Sequence, residues 1–191
     1  MPLPNDNILI CTQCVLHRYR TQVVPGEGNS SATLAFVGEA PGKIEDETGH
    51  PFAGPAGGRF DAQLAKAGLK REDVWIDNTI HCRPPDNAIA NYPDAVVRCP
   101  DLWLYPQLDS LPNLRVVVAL GATSTSLWFG SASKISQLVG LARNYEGKYL
   151  VLPAFHPAAA GYKGGKWNDI DDVNVGVMLR ALTYVATLGG G

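Results

Sequence analysis

Four apolar runs rich in branched and aromatic residues recur along the chain: Thr33–Val37, Val74–Asp77, Leu114–Leu120 and Lys148–Leu152. Their near-continuous apolarity suits strands covered on both faces, as in a parallel sheet. Helical patterning fills the intervals at Ala56–Ala67, Asp94–Leu108 and Ala122–Trp128, and a last helix is expected from about Asp171 to Leu188. Gly68 closes the first helix as a residue that takes a left-handed conformation without strain, and Pro93 opens the second. No segment repeats and no linker breaks the pattern. The expectation is one domain over residues 1–191, with a flexible Gly tail at 189–191. Its fold class is α/β, three layers (α/β/α) around a four-stranded, mainly parallel central sheet.

The polar and Gly/Pro clusters fall at one kind of place. Gly38-Glu39-Ala40-Pro41-Gly42 follows the first expected strand, Asn78 the second, Gly121-Ala122-Thr123 the third and His156-Pro157 the fourth. Open α/β sheets bind their ligands at the carboxyl ends of the strands. This convergence names a site without naming a reaction.

Composition adds little and the cysteines add more. Apolar residues make up 46% and charged residues 18%, and the net charge of −2 means that any basic surface for phosphates would have to be local. No apolar run approaches the roughly 18 residues of a membrane span. Met1-Pro-Leu-Pro-Asn-Asp has neither the basic stretch nor the apolar core of a signal peptide, so the cytoplasm is the expected compartment. Four cysteines without an export signal point to metal binding or catalysis rather than to disulfides. Cys11-Thr-Gln-Cys14 can grip one centre, and Cys82 and Cys99 can complete a four-fold set. On spacing alone zinc, a 4Fe–4S cluster and a redox Cys-x-x-Cys pair all stay open.

Cys11-x-x-Cys14, a long gap, Cys82-Arg-Pro-Pro85 and a fourth cysteine together resemble the family 4 uracil-DNA glycosylases. The likeness continues through Val24-Pro-Gly-Glu-Gly28, Val37-Gly-Glu-Ala-Pro-Gly42, Gly49-His-Pro-Phe52 and Asn78-Thr-Ile-His-Cys82 to His156-Pro157-Ala158. The resemblance implies a DNA-repair hydrolase that acts in base excision repair on single- or double-stranded DNA. It would flip uracil out, hydrolyse its N-glycosidic bond, release free uracil and leave an abasic site. It also implies a structural 4Fe–4S cluster on Cys11, Cys14, Cys82 and Cys99, and a monomer. No lysine nucleophile stands in the motif positions, so no strand cleavage is expected.

The same resemblance assigns roles that chemistry makes reasonable. Glu39 would position or activate the hydrolytic water, beside a glycosidic carbon that becomes oxocarbenium-like. His156 would donate to uracil O2, which gains negative charge as the base leaves. Gly38, Ala40, Phe52, Asn78 and His156 would bind the base. Phe52 would stack on its face, and the Asn78 carboxamide would match N3–H and O4 with one acceptor and one donor. Gly38 and Gly42, lacking Cβ, would let the backbone approach. Lys43, Arg83, Lys163 and Lys166 would contribute to a local positive rim, and His17, His50 and His81 are left structural. One departure stands out. After His-Pro the family carries a bulky residue and an arginine that enter the duplex, whereas this chain reads Ala158-Ala-Ala-Gly-Tyr162, leaving Tyr162 as the substitute wedge. Two other readings compete: a non-catalytic or altered-specificity nucleic-acid-binding member of the same fold, and a zinc-stabilised α/β enzyme acting on nucleotides.

Overall fold

A computed structural model of the chain describes residues 7–132, 134–159 and 167–189. The four apolar runs form β2 (Leu34–Gly38), β3 (Trp75–Asn78), β4 (Val116–Leu120) and β6 (Tyr149–Ala154), while β1 (Glu27–Gly28) and β5 (Arg143–Tyr145) are short additions. The helices are α1 (Lys43–Thr48), α2 (Pro55–Lys66), α3 (Pro93–Cys99), α4 (Tyr105–Asp109), α5 (Ala122–Phe129), α6 (Ile135–Leu138) and α7 (Trp167–Leu188).

The strand order is β1-β3-β2-β4-β6-β5, and the inner four strands run parallel. Among the described residues the sheet therefore has six strands, not the four expected. The parallel core matches the expectation. The two additions pair antiparallel on its edges. They are only two and three residues long and carry no apolar run, which is the signal a sequence offers for a strand. Helices α1 and α6 were also unforeseen. The first, Lys-Ile-Glu-Asp-Glu-Thr, is almost wholly polar, and the second is four residues long.

Alternate residues of the central strands point into two different cores, which is the three-layer arrangement. Leu34, Phe36, Ile76, Val118 and Leu152 pack with Phe60 and Leu64 of α2 and Met178 and Ala181 of α7. Ala35, Val37, Trp75, Val117 and Val151 pack with Leu104, Leu108 and Trp128 on the other side. Fully burying such a side chain contributes about 1.5–3 kcal/mol, so each strand is held from both faces. A third cluster, with Ile8, Leu16, Val23, Ile80 and Ala95, surrounds Cys82.

Asp94–Leu108, expected as one helix, is interrupted. Between α3 and α4, Pro100–Leu104 winds as a π-helix. Pro100 has no N–H to donate to the preceding turn, and Pro106 repeats the defect six residues later. Among the described residues no helix is long and apolar enough to cross a membrane.

Candidate active site

Strand β2 sends the chain to β3 on one side, while β4 lies on its other side, so the connectivity reverses between β2 and β4. A crevice opens at such a switch point, outside the carboxyl ends of the strands. Glu39 leaves β2 there, and Gly121 and Thr123 leave β4. The Thr123 hydroxyl donates to Glu39 Oε2 at 2.5 Å and ties the two sides together. Into this crevice opens a pocket of about 400 Å³, whose walls include Glu39, Ala40, Phe52, Asn78 and His156. Five residues singled out from the sequence thus line one cavity, of a size ordinary for small-molecule sites.

Gly38 lies behind the wall and sets its tightness. It pairs in register with Asn78. A Cβ on Gly38 would stand 2.5 Å from Asn78 Oδ1 and 2.6 Å from Phe52 Cζ, so only glycine leaves room for both side chains. Asn78 itself is buried, and its backbone N–H donates to Asp77 Oδ1 at 2.7 Å.

Phe52 is held in an unusual state. Its φ is +54°, in the left-handed region that a bulky side chain rarely takes. Two features fix it there. Arg71 donates to the carbonyl oxygens of Pro51 at 3.1 Å and Phe52 at 2.5 Å, and its Nε meets Asp61 Oδ1 at 2.6 Å. From the other side, Gly57 at the start of α2 sits so close that a Cβ would overlap the Phe52 carbonyl oxygen at 1.6 Å. The ring rests on Phe60, with centroids 5.1 Å apart, and is stacked toward the His156 ring at 6.1 Å and 26°. Phe52 is thus both a core residue of the α2 side and a pocket wall.

His156 follows β6 by two residues, and a Cβ on Gly121 would come within 3.1 Å of the His156 Cβ. Burial lowers its pKa, with Glu39 and Glu45 pulling the other way. The neutral imidazole has a defined tautomer. The backbone N–H of Ala158 donates to Nδ1 at 3.2 Å, so the ring proton sits on Nε2.

Glu45 belongs to the same pocket and was not foreseen. Its side chain is buried, and Oε1 accepts the N–H of Gly54, the residue capping the start of α2, at 2.8 Å. The sequence shows it only as one acid in the polar stretch that forms α1. Of the expected cationic rim, Lys43 reaches the pocket, is exposed and pairs with Glu47 at 3.8 Å. Arg83 is not among the residues lining the pocket; its Nε donates at 3.2 Å to Asn87, which is. Tyr162, Lys163 and Lys166 lie outside the described residues.

The four cysteines gather around a separate pocket, walled by Ile8 and Val23 of the third core cluster, Arg20 and Trp103. None forms a disulfide. Three N–H groups approach their sulfurs: Arg20 Nη1 to Cys82 at 3.0 Å, Trp103 Nε1 to Cys11 at 3.3 Å, and His81 Nδ1 with Cys99 at 3.2 Å. Trp103 is delivered by the π-helical segment, directly after Cys99 closes α3. Burial pushes the Cys82 thiol up to about 11, against the pull of Arg20, and raises Cys14 as well. His81 has its other nitrogen, Nε2, 2.8 Å from Asp77 Oδ1. Burial works against its charge, yet the Asp77 carboxylate and the Cys99 sulfur outweigh burial and raise its pKa to about 10.

Residues 25–174 match the model of the uracil DNA glycosylase superfamily. The chain is 40% identical over 159 residues to the type-4 uracil-DNA glycosylase of Thermotoga maritima, covering 83% of this chain and 81% of that protein. It is 40% identical over 164 residues to the type-4 uracil-DNA glycosylase of Archaeoglobus fulgidus, covering 82% and 80%. The type-5 uracil-DNA glycosylase of Thermus thermophilus is 33% identical over a shorter stretch, 54% of this chain and 52% of that one. With its switch-point pocket and these relatives, the chain belongs to the uracil-DNA glycosylase superfamily, alongside the type-4 members.

Proposed function

We propose that this protein removes uracil from DNA by hydrolysing the bond between the base and deoxyribose. The observation that carries this reading is the convergence of Glu39, Phe52, Asn78 and His156 on one pocket at the switch point. In the reaction, the extruded base lies against the Phe52 ring. Asn78 Oδ1 accepts from uracil N3–H and Nδ2 donates to O4, a pairing that cytosine, with an acceptor and an amine there, opposes.

The N1–C1′ bond breaks with its electron pair going to the base, and the sugar carbon becomes oxocarbenium-like. His156, neutral and carrying its proton on Nε2, donates to O2 as negative charge grows on the leaving uracil. Such a donor stabilises the transition state more than the ground state. Thr123 engages Glu39 Oε2, which leaves Oε1 to orient a water. That water's oxygen bonds to C1′, and its proton passes to the carboxylate. The products are free uracil and an abasic site.

Cys11, Cys14, Cys82 and Cys99 would hold a 4Fe–4S cluster. Three N–H donors aimed at sulfur suit thiolates, which accept hydrogen bonds more strongly than thiols. A bare thiol this buried keeps its proton, so thiolates here call for a cation. All four cysteines line one small cavity. When bound, the cluster supplies a structural cross-link from the N-terminal segment to Cys82 and α3, not a step of hydrolysis.

The decisive test is incubation with a uracil-containing oligonucleotide, followed by alkali cleavage. Strand scission at the uracil position after alkali, and not before it, is the expected result. Intact DNA after alkali would favour the non-catalytic alternative.

A further inference from the structure

The stretch Asp77-Asn78-Thr79-Ile80-His81-Cys82 carries both the base-reading asparagine and a cysteine of the thiol pocket. Of its ionisable members, two are wholly enclosed: Asp77 is 0% exposed and His81 1%. A carboxylate taken out of water needs every lone pair served. Asp77 Oδ1 receives the Asn78 N–H at 2.7 Å and faces His81 Nε2 at 2.8 Å. Oδ2 faces Trp75 Nε1 at 3.4 Å and abuts Gly26, where a Cβ would come within 2.4 Å. The opposite nitrogen of His81 lies 3.2 Å from Cys99 Sγ. The segment cannot slide along the sheet, because Thr79 and Ile80 N–H groups bond to the carbonyls of Gly38 and Glu39 at 2.9 and 3.1 Å.

Cys99 Sγ, the His81 ring, Asp77 Oδ1 and the Asn78 peptide thus form one unbroken chain of hydrogen bonds through a packed interior. We infer that Asp77 and His81 are positioning residues that couple the thiol centre to Asn78, so that occupation of the base pocket and retention of the metal centre support each other. Neither touches the base. The inference rests on the functional reading above, in which Asn78 reads uracil and the cysteines hold iron. In a rigid interior with two well-defined ends, a shift at either end is transmitted instead of absorbed.

Two substitutions cut the chain on opposite sides of His81. Asparagine places an amide nitrogen as many bonds from Cα as Nδ1, so His81→Asn keeps the contact to Cys99 and loses that to Asp77. Glutamine matches Nε2, so His81→Gln keeps Asp77 and loses Cys99. Holoprotein is mixed with a ferrous chelator, and iron release is followed by visible bleaching, with and without saturating free uracil; uracil affinity is measured by calorimetry. In the unmodified protein uracil should slow iron release by about fivefold or more, the lower range of coupling between sites. Both variants should lose that protection. His81→Asn should also bind uracil about threefold or more weakly, and His81→Gln should release iron faster while binding uracil normally.

If the unmodified protein binds uracil normally but releases iron at the same rate with and without it, the coupling is refuted and the functional reading stands. Protection that survives in both variants refutes the route through His81. A protein that neither binds uracil nor cleaves uracil-containing DNA refutes the functional reading, and one purified without iron refutes the coupling to a metal centre.

Discussion

Replacing Gly38 by alanine separates the activity of this protein from its stability. The added Cβ would lie 2.5 Å from Asn78 Oδ1 and 2.6 Å from Phe52 Cζ, where ordinary contact begins near 3.4 Å. The carboxamide must therefore retreat by about 0.9 Å and the ring by about 0.8 Å. Neither has free space to move into. Asn78 is 3% exposed, and Phe52 is fixed by Arg71, Gly57 and Phe60. Misplacing a positioning group by about 1 Å costs on the order of 10²-fold in rate, which is about 2.7 kcal/mol at 1.36 kcal/mol per factor of ten. The fold suffers less. Alanine relieves the entropic disadvantage of glycine in a strand, about 0.5–1 kcal/mol, against an overpacking cost of about 1–3 kcal/mol. Gly38→Ala should remain folded, with a modestly lower Tm by circular dichroism, while single-turnover cleavage of a uracil-containing oligonucleotide falls by about 10²-fold. A folded variant cleaving at the wild-type rate would show that neither Asn78 nor Phe52 is held where the reaction needs it.

Asn78→Asp should lose about 10²-fold on uracil and gain weak cleavage of cytosine, since a carboxylate accepts from an amine and cannot donate to O4; unchanged uracil rates would remove Asn78 from base reading. His156→Ala should slow single-turnover cleavage by about 10²–10³-fold with DNA affinity nearly unchanged, and weaker binding with intact chemistry would contradict its role. Because burial lowers the His156 pKa, the unfolded chain takes up this proton more readily than the folded protein. Stability should therefore rise with pH from that lowered value to about 6.5, and thermal melts of His156→Gln should lack this component; superimposable pH profiles would refute the assignment. Purified protein should be yellow-brown with absorbance near about 400 nm and about four irons per chain, a colourless protein with one zinc being the contrary result. Unpairing costs a few kcal/mol, and Ala158-Ala159-Ala160-Gly161 offers no bulky wedge. Cleavage rates should therefore run from single-stranded uracil through U·G to U·A, and equal rates on U·A duplex and single strands would reveal an unidentified wedge.

The residues legible in the sequence are those whose position follows from one element. Glu39, Asn78 and His156 each come just after, or at the end of, a buried apolar run, so the direction of the strand places them at the crevice. What stayed hidden depends on pairs far apart in the chain. Thr123 meets Glu39 across 84 positions, and Arg20 meets Cys82 across 62. Arg71 gives no local hint that it grips the loop before α2. Glu45 is one acid of a polar stretch, and only the folding of α1 turns it inward against Gly54. The edge strands β1 and β5 were missed for a related reason. Their pairing is specified by neighbours already in the sheet, not by their own composition.

Reshaping this pocket for a larger base meets a geometric boundary. The carbonyl of Phe52 and the backbone of Gly57 share one space, leaving no clearance for even a methyl group. The loop cannot back away toward α2, and Arg71 prevents it from swinging outward. On this side of the pocket, extra room has to come from trimming the phenyl ring itself, which also removes part of the core beneath it. An engineer widening specificity here trades directly against stability, side chain by side chain, with no backbone route around the exchange.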